Sequence, residues 1–187
     1  MQVAPATILR NPVNVEEVTD SAPPDSQTHP HLAASLLVFE EFYADLLAFL
    51  SALDQAALNW APPAPETNSI AALVEHVMGS NAAWLARATG EELQRDRESE
   101  FRASATPEAL HAAVERSRVD TRQRFELLAT IDPLLLRTVR RLNASETTQV
   151  SVGWCVAHAL IHTGEHWGQM QLTRQLHAAS AATKLDR

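Results

Sequence analysis

Four stretches of this 187-residue chain repeat their apolar residues every three or four positions, with proline-bearing breaks between most of them. That spacing is the α-helical one. The first stretch runs from Pro30 to about Leu53, with Leu32, Leu36, Phe39, Tyr43, Leu46, Leu47 and Leu50 on its apolar side. Pro30 suits a first-turn position, and Ala61-Pro62-Pro63-Ala64-Pro65 stops the helix. A second begins at Asn68 or Ser69, either of which can cap it. It carries Ile70, Leu73, Val74, Val77, Trp84 and Leu85, and Gly90 stands where a C-terminal cap is expected. Thr106-Pro107-Glu108 opens the third as cap, first-turn proline and dipole-favoured acid. Leu110, Val114, Ser117, Thr121, Phe125 and Leu128 continue it to about Thr130, before Asp132-Pro133. The fourth runs from about Ser151 to about Ala178.

No segment alternates convincingly as a strand, no Asn-Gly or Asp-Gly hairpin signal occurs, and only five glycines are present. The pattern predicts an all-α four-helix bundle over residues 30–180. An irregular arm over 1–29, broken by Pro5, Pro12, Pro23 and Pro24, precedes it, and a short tail over 181–187 follows. Residues 91–105 are charged and aperiodic, and read either as a solvated helical extension or as a long connection. Residues 133–148 read as irregular.

Fifteen Lys and Arg against 23 Asp and Glu give a net charge of −8. Such a surface repels phosphate, and the run Arg137-Thr138-Val139-Arg140-Arg141 is too short to reverse that, so no nucleic-acid partner is expected. No window holds 18 uninterrupted apolar residues, so no membrane span is expected. The one cysteine, Cys155, excludes an internal disulfide framework and a multi-cysteine zinc site; burial in the core is its expected fate. The first thirty residues lack the cationic start and apolar stretch of an export signal, which gives a cytoplasmic expectation.

On the fourth helix, His158, His162 and His166 advance only about 40° per step and so form a row on one face, with neighbouring Cα atoms about 6 Å apart. At that spacing two imidazoles can close on one metal ion. Cys155 and Gln169 share the sector. Ala157, Gly164 and Gly168 make an opposite face, small enough for another helix to approach, within the bundle or from a second copy. His162-Thr163-Gly164-Glu165-His166 also reads H-x-x-E-H, the inverted zincin motif. Only twenty-one residues follow His166, too few for that family's downstream ligand, and glycine inside the motif points to packing instead. A third ligand must come from another helix. His76, at the flank of the second helix's apolar stripe, is the candidate; His29, His31, His111 and His177 read as surface. Three neutral imidazoles leave open positions, as in a catalytic rather than a closed structural site. Glu75 and Glu165 adjoin the histidines in sequence but point partly away, so no acid–base group is named.

Three passages resemble the DinB-like superfamily of metal-dependent proteins, related to the bacillithiol- and mycothiol-dependent thiol-transferase bundles. They are Leu53-Asp54-Gln55-Ala56-Ala57-Leu58-Asn59-Trp60 with the prolines and Asn68-Ser69-Ile70 after it; Leu73-Val74-Glu75-His76-Val77 with Trp84-Leu85; and the run from His158 through Gln169. The resemblance covers about residues 31–178. It implies a bundle with a long crossover between its second and third helices, and metal ligands at His76, His162 and His166, with His158 a non-ligand. Homodimers are common in the family. The chain departs from the family pattern at Thr163, where many members have Glu, and at Trp167, where they often have Arg or His.

The expected cofactor is a divalent metal ion (Zn, Ni or Fe), which could lower the pKa of water to about 7 or deprotonate a thiol. The expected activity is a metal-dependent thiol S-transferase or hydrolase acting on a small molecule. The alternatives are a non-enzymatic metal- or ligand-binding stress or regulatory module, and a structural bundle whose histidines are hydrogen-bonded in the core.

Overall fold

The computed structural model describes residues 29–140 and 147–185; the expected arm up to residue 28 and the end of the expected tail lie outside them. Among the described residues six helices and one two-stranded sheet follow in the order α1 (Pro30–Ser51), α2 (Gln55–Asn59), α3 (Ile70–Thr89), α4 (Arg97–Glu100), α5 (Pro107–Leu128), β1 (Leu136–Arg140), β2 (Thr147–Ser151) and α6 (Val152–Leu185). The described chain is mostly helical. None of its helices is long and apolar enough to cross a membrane.

The caps read from the sequence are in place. Ser69 Oγ accepts from Ala72 N at 3.2 Å, and Thr106 Oγ1 accepts from Ala109 N at 3.2 Å. Each supplies a partner for an orphan first-turn N–H, worth about 1 kcal/mol. Gly90 ends α3 with φ +92°, a left-handed conformation that glycine adopts without strain. Asp54 caps the short α2 in the same way.

The four long helices share one core. α3 packs on α5 and α6, and α1 packs on the same two. α3 is buried nearly all round, from Ile70 and Leu73 to Leu85 and Ala88. Phe39 of α1 meets Phe125 of α5 edge to face at 5.8 Å. Beside them the buried Tyr43 hydroxyl lies 2.8 Å from Thr121 Oγ1 and 3.0 Å from Ser117 Oγ, so its polar end is satisfied across the α1–α5 seam. Trp167 of α6 is half-buried against Phe42 and Phe49 of α1. The departure from the family pattern at that position is therefore a packing residue.

The expectation of an irregular 133–148 is corrected by an antiparallel hairpin, with Leu136 opposite Ser151 and Val139 opposite Thr148. Its strands are rich in Val and Thr, which suit a half-buried pleated surface, and Val139 is buried. The connecting residues 141–146 lie outside the described ones. The hairpin also starts α6. Val152 N donates to Leu135 O, Gly153 N to Pro133 O, and Trp154 N to Ser151 Oγ, so three first-turn N–H groups find partners. α6 then runs to Leu185, past the expected end near Ala178.

Residues 91–106 are a connection that contains only α4. Apart from the adjoining residues and backbone of α6 itself, no described atom lies within 4 Å of a methyl placed on Gly164 or Gly168. Among the described residues no other helix packs on Gly164 or Gly168, which corrects the within-chain half of that expectation at these two positions. Cys155 is fully buried, as expected. His29 and His31 are exposed, whereas His111 and His177 are half-buried, the latter beside Trp60.

Candidate metal centre

α3 and α6 carry the histidines and pack along their lengths. His162 and His166 lie one turn apart on α6, and His76 faces them from α3. His162 Nε2 is 3.2 Å from His76 Nε2 and 3.2 Å from His166 Nε2. Among the described residues, these three side chains form the group whose ligand atoms can surround one ion, all within 4.8 Å of one another. Two nitrogens each about 2.1 Å from a common ion stand roughly 3–3.5 Å apart, and both spacings to His162 Nε2 fall in that range. His76 is buried more deeply than its flank position in the sequence pattern suggests.

The outer ring nitrogens decide what the inner ones can do. His76 Nδ1–H donates to Glu100 Oε2 at 3.1 Å. His166 Nδ1–H donates to Gln169 Oε1 at 2.8 Å. Both rings then present a bare Nε2 to the centre. His162 Nδ1 is buried without a partner. A single hydrogen on His162 Nε2 can serve only one of its two neighbours. The convergent nitrogens thus form an under-satisfied acceptor cluster, the arrangement that a cation completes.

Burial also keeps His76 and His162 neutral. Desolvation holds His76 down at about 3, with the Arg95 guanidinium adding to it, and holds His162 down at about 4, with the neighbouring rings adding to it. A neutral imidazole is the form that ligates a metal.

His158 stands one turn before the centre and outside it. Its ring stacks on Trp154 at 4.8 Å and meets Trp84 edge to face at 4.4 Å, while its centroid is 6.4 Å from that of His162. Thr163, the other departure from the family pattern, is buried with Oγ1 2.8 Å from Ala159 O and 3.0 Å from Asn81 Oδ1. Glu165 is exposed. Glu75 is half-buried, and desolvation raises its carboxyl pKa. Neither carboxylate belongs to the cluster.

The sequence reading missed the residues of the α3–α5 connection that close over His76. Phe101 stacks on its ring at 4.2 Å. Arg95 Nε donates to Glu100 Oε1 at 2.7 Å, and Arg95 Nη2 donates to Glu100 Oε2 at 2.7 Å and to the His76 carbonyl at 2.9 Å. Nothing local in a charged, aperiodic run signals such a role.

A cavity of about 410 Å³ opens beside the centre, with His166, Gln169 and Phe101 on its wall. Leu73, Leu172 and Leu176 make the cavity largely apolar, and Thr67, Asn68 and Thr173 add polar groups. A larger groove of about 600 Å³ between α1 and α6 contains none of the three histidines.

No curated protein matches the chain. The sequence pattern of the DinB superfamily matches residues 39–170, which span all three histidines and every long helix in whole or in part. The chain belongs to the DinB superfamily.

Proposed function

We propose that this protein is a divalent-metal-dependent enzyme in which His76, His162 and His166 hold the ion and the adjoining cavity receives a small molecule. We also read its four long helices as the four-helix bundle of DinB-like type, with residues 91–106 as the long crossover between the second and third of them. The observation that carries the functional reading is the convergence of three Nε2 atoms beside an open, mostly apolar cavity. A structural zinc site is closed by four protein ligands; three imidazoles and a cavity leave room for a further ligand. An ion held there would bring a coordinated water or thiol near its deprotonated form at neutral pH, supplying a nucleophile.

The chain's own groups set the rest. Glu100 and Gln169 orient two of the rings, and burial keeps His76 and His162 unprotonated. The leucines of the cavity exclude water from an apolar substrate. This supports thiol S-transfer to an apolar electrophile, or hydrolysis of a small molecule, with the ion being Zn, Ni or Fe.

The test is elemental analysis of tag-free protein beside a His76/His162/His166 triple alanine variant, followed by a panel of low-molecular-weight thiols with electrophiles. About one ion per chain, lost in the variant, together with metal-dependent turnover, is the expected result. Metal without turnover across the panel would leave a binding module. No metal after reloading with Zn or Ni would overturn the reading.

A further inference from the structure

Glu100 and Arg95 both reach the outer nitrogen of His76, and they demand opposite things of it. The carboxylate only accepts, so it requires Nδ1–H and leaves Nε2 bare. The guanidinium only donates, and Arg95 Nη2 lies 3.2 Å from the same Nδ1. Were Nδ1 its acceptor, the ring proton would move to Nε2 and occupy the atom that faces His162. In the structure both hydrogens of that Nη2 are already placed, on Glu100 Oε2 and on the His76 carbonyl.

We infer that Glu100 is a positioning residue that holds His76 in the ligand-competent tautomer, and that Arg95 clamps Glu100 but becomes its competitor once the carboxylate is removed. The consequence for metal binding rests on the three-histidine reading above; the tautomer is a property of the metal-free chain.

Two further observations carry this. Gly79 lies one turn after His76 on α3, and a methyl there would collide with Glu100 Oε1 and stand 3.1 Å from Arg95 Nε. An interior glycine lowers helix propensity, and here it opens the space in which the carboxylate reaches the ring. The Glu100 side chain is also only 12% exposed, so its hydrogen bond to His76 meets little competition from water. Phe101, the next residue, stacks on the same ring and fixes its plane.

The experiment uses the metal-free, ¹⁵N-labelled chain. Long-range histidine spectra report which His76 nitrogen is protonated, and Zn affinity is read by competition with a chromophoric chelator. His76 is expected as Nδ1–H in the parent and as Nε2–H in Glu100→Ala, with Zn bound about 10- to 100-fold more weakly, as is typical for the loss of an outer-shell partner. Glu100→Met, matched in length and lacking an acceptor, carries the same expectation with the space filled. Glu100→Gln keeps an acceptor oxygen and is expected to keep Nδ1–H. Arg95→Ala added to Glu100→Ala removes the competitor and is expected to recover most of the lost affinity. Loss of packing alone predicts the reverse, a double variant weaker than either single one.

Persistence of Nδ1–H in both Glu100→Ala and Glu100→Met overturns the inference, as does a double variant that binds Zn no better than Glu100→Ala. A parent that binds no Zn would sink the metal reading while the tautomer spectra still decide the role of Glu100.

Discussion

His162 places its Nε2 3.2 Å from that of His76, a residue 86 positions earlier on a different helix, while its own Nδ1 is buried with no partner. A core histidine kept for hydrogen bonding alone would use both nitrogens. His162 uses only the one that faces two other rings.

This pairing predicts a sharp ligand set. His162→Ala is expected to lose bound metal and the thermal stabilisation that metal confers, about 2.7 kcal/mol at a hundredfold excess over Kd. His158→Ala is expected to keep one ion per chain. Because His158 lies between Trp84 and Trp154, that variant should instead change the tryptophan fluorescence and lower stability. Elemental analysis with thermal melts of both variants checks this, and equal loss of metal in the two would contradict the assignment.

The depressed imidazole pKa values give the metal-free protein a defined pH dependence. In the unfolded chain these rings take up a proton near 6.5, whereas in the fold His76 does so at about 3 and His162 at about 4. The unfolded state therefore binds more protons between those limits, and stability must fall as pH falls. The contribution is complete above about pH 6.5 and is lost progressively below it, towards pH 4 and then 3. Denaturant midpoints between pH 7.5 and 4.5 should decline more steeply for the parent than for a His76→Gln/His162→Gln variant.

Gly164 and Gly168 sit within α6 with open space where a methyl would go. Alanine at either is expected to raise the stability of the single chain by about 0.5–1 kcal/mol through helix propensity. A loss of stability instead, accompanied by a lower mass in sedimentation, would show a second copy seated on those glycines.

Tyr43→Phe removes the hydroxyl shared by Thr121 and Ser117. The ring volume is kept, so the cost is that of the buried hydrogen bonds, about 1–2 kcal/mol. Metal content should be unchanged, since the hydroxyl touches none of the three histidines. Urea unfolding with parallel elemental analysis measures both.

The long helices were legible because their information is local. Apolar spacing names the buried side, and Ser69, Gly90 and Thr106 act on backbone groups within a few residues. The hairpin was not legible. Its strands are five residues each, carry no turn signature at the described ends, and the first of them meets α3, a helix far away in sequence. The role of the α3–α5 connection was hidden for a related reason, since Arg95, Glu100 and Phe101 look like a solvated charged run until α3 is placed beside them.

The sequence by itself determined that this chain is helical, which helix carries the histidine row, and that His76 was the candidate to join it, because helical periodicity converts spacing directly into angle. Only the tertiary structure decided that the three Nε2 atoms converge, that Glu100 and Gln169 take the outer nitrogens, and that an apolar cavity opens beside them. Those relations depend on how α3, α4 and α6 approach one another in space. That approach is set by the burial of whole helix faces, and no local stretch of sequence encodes it.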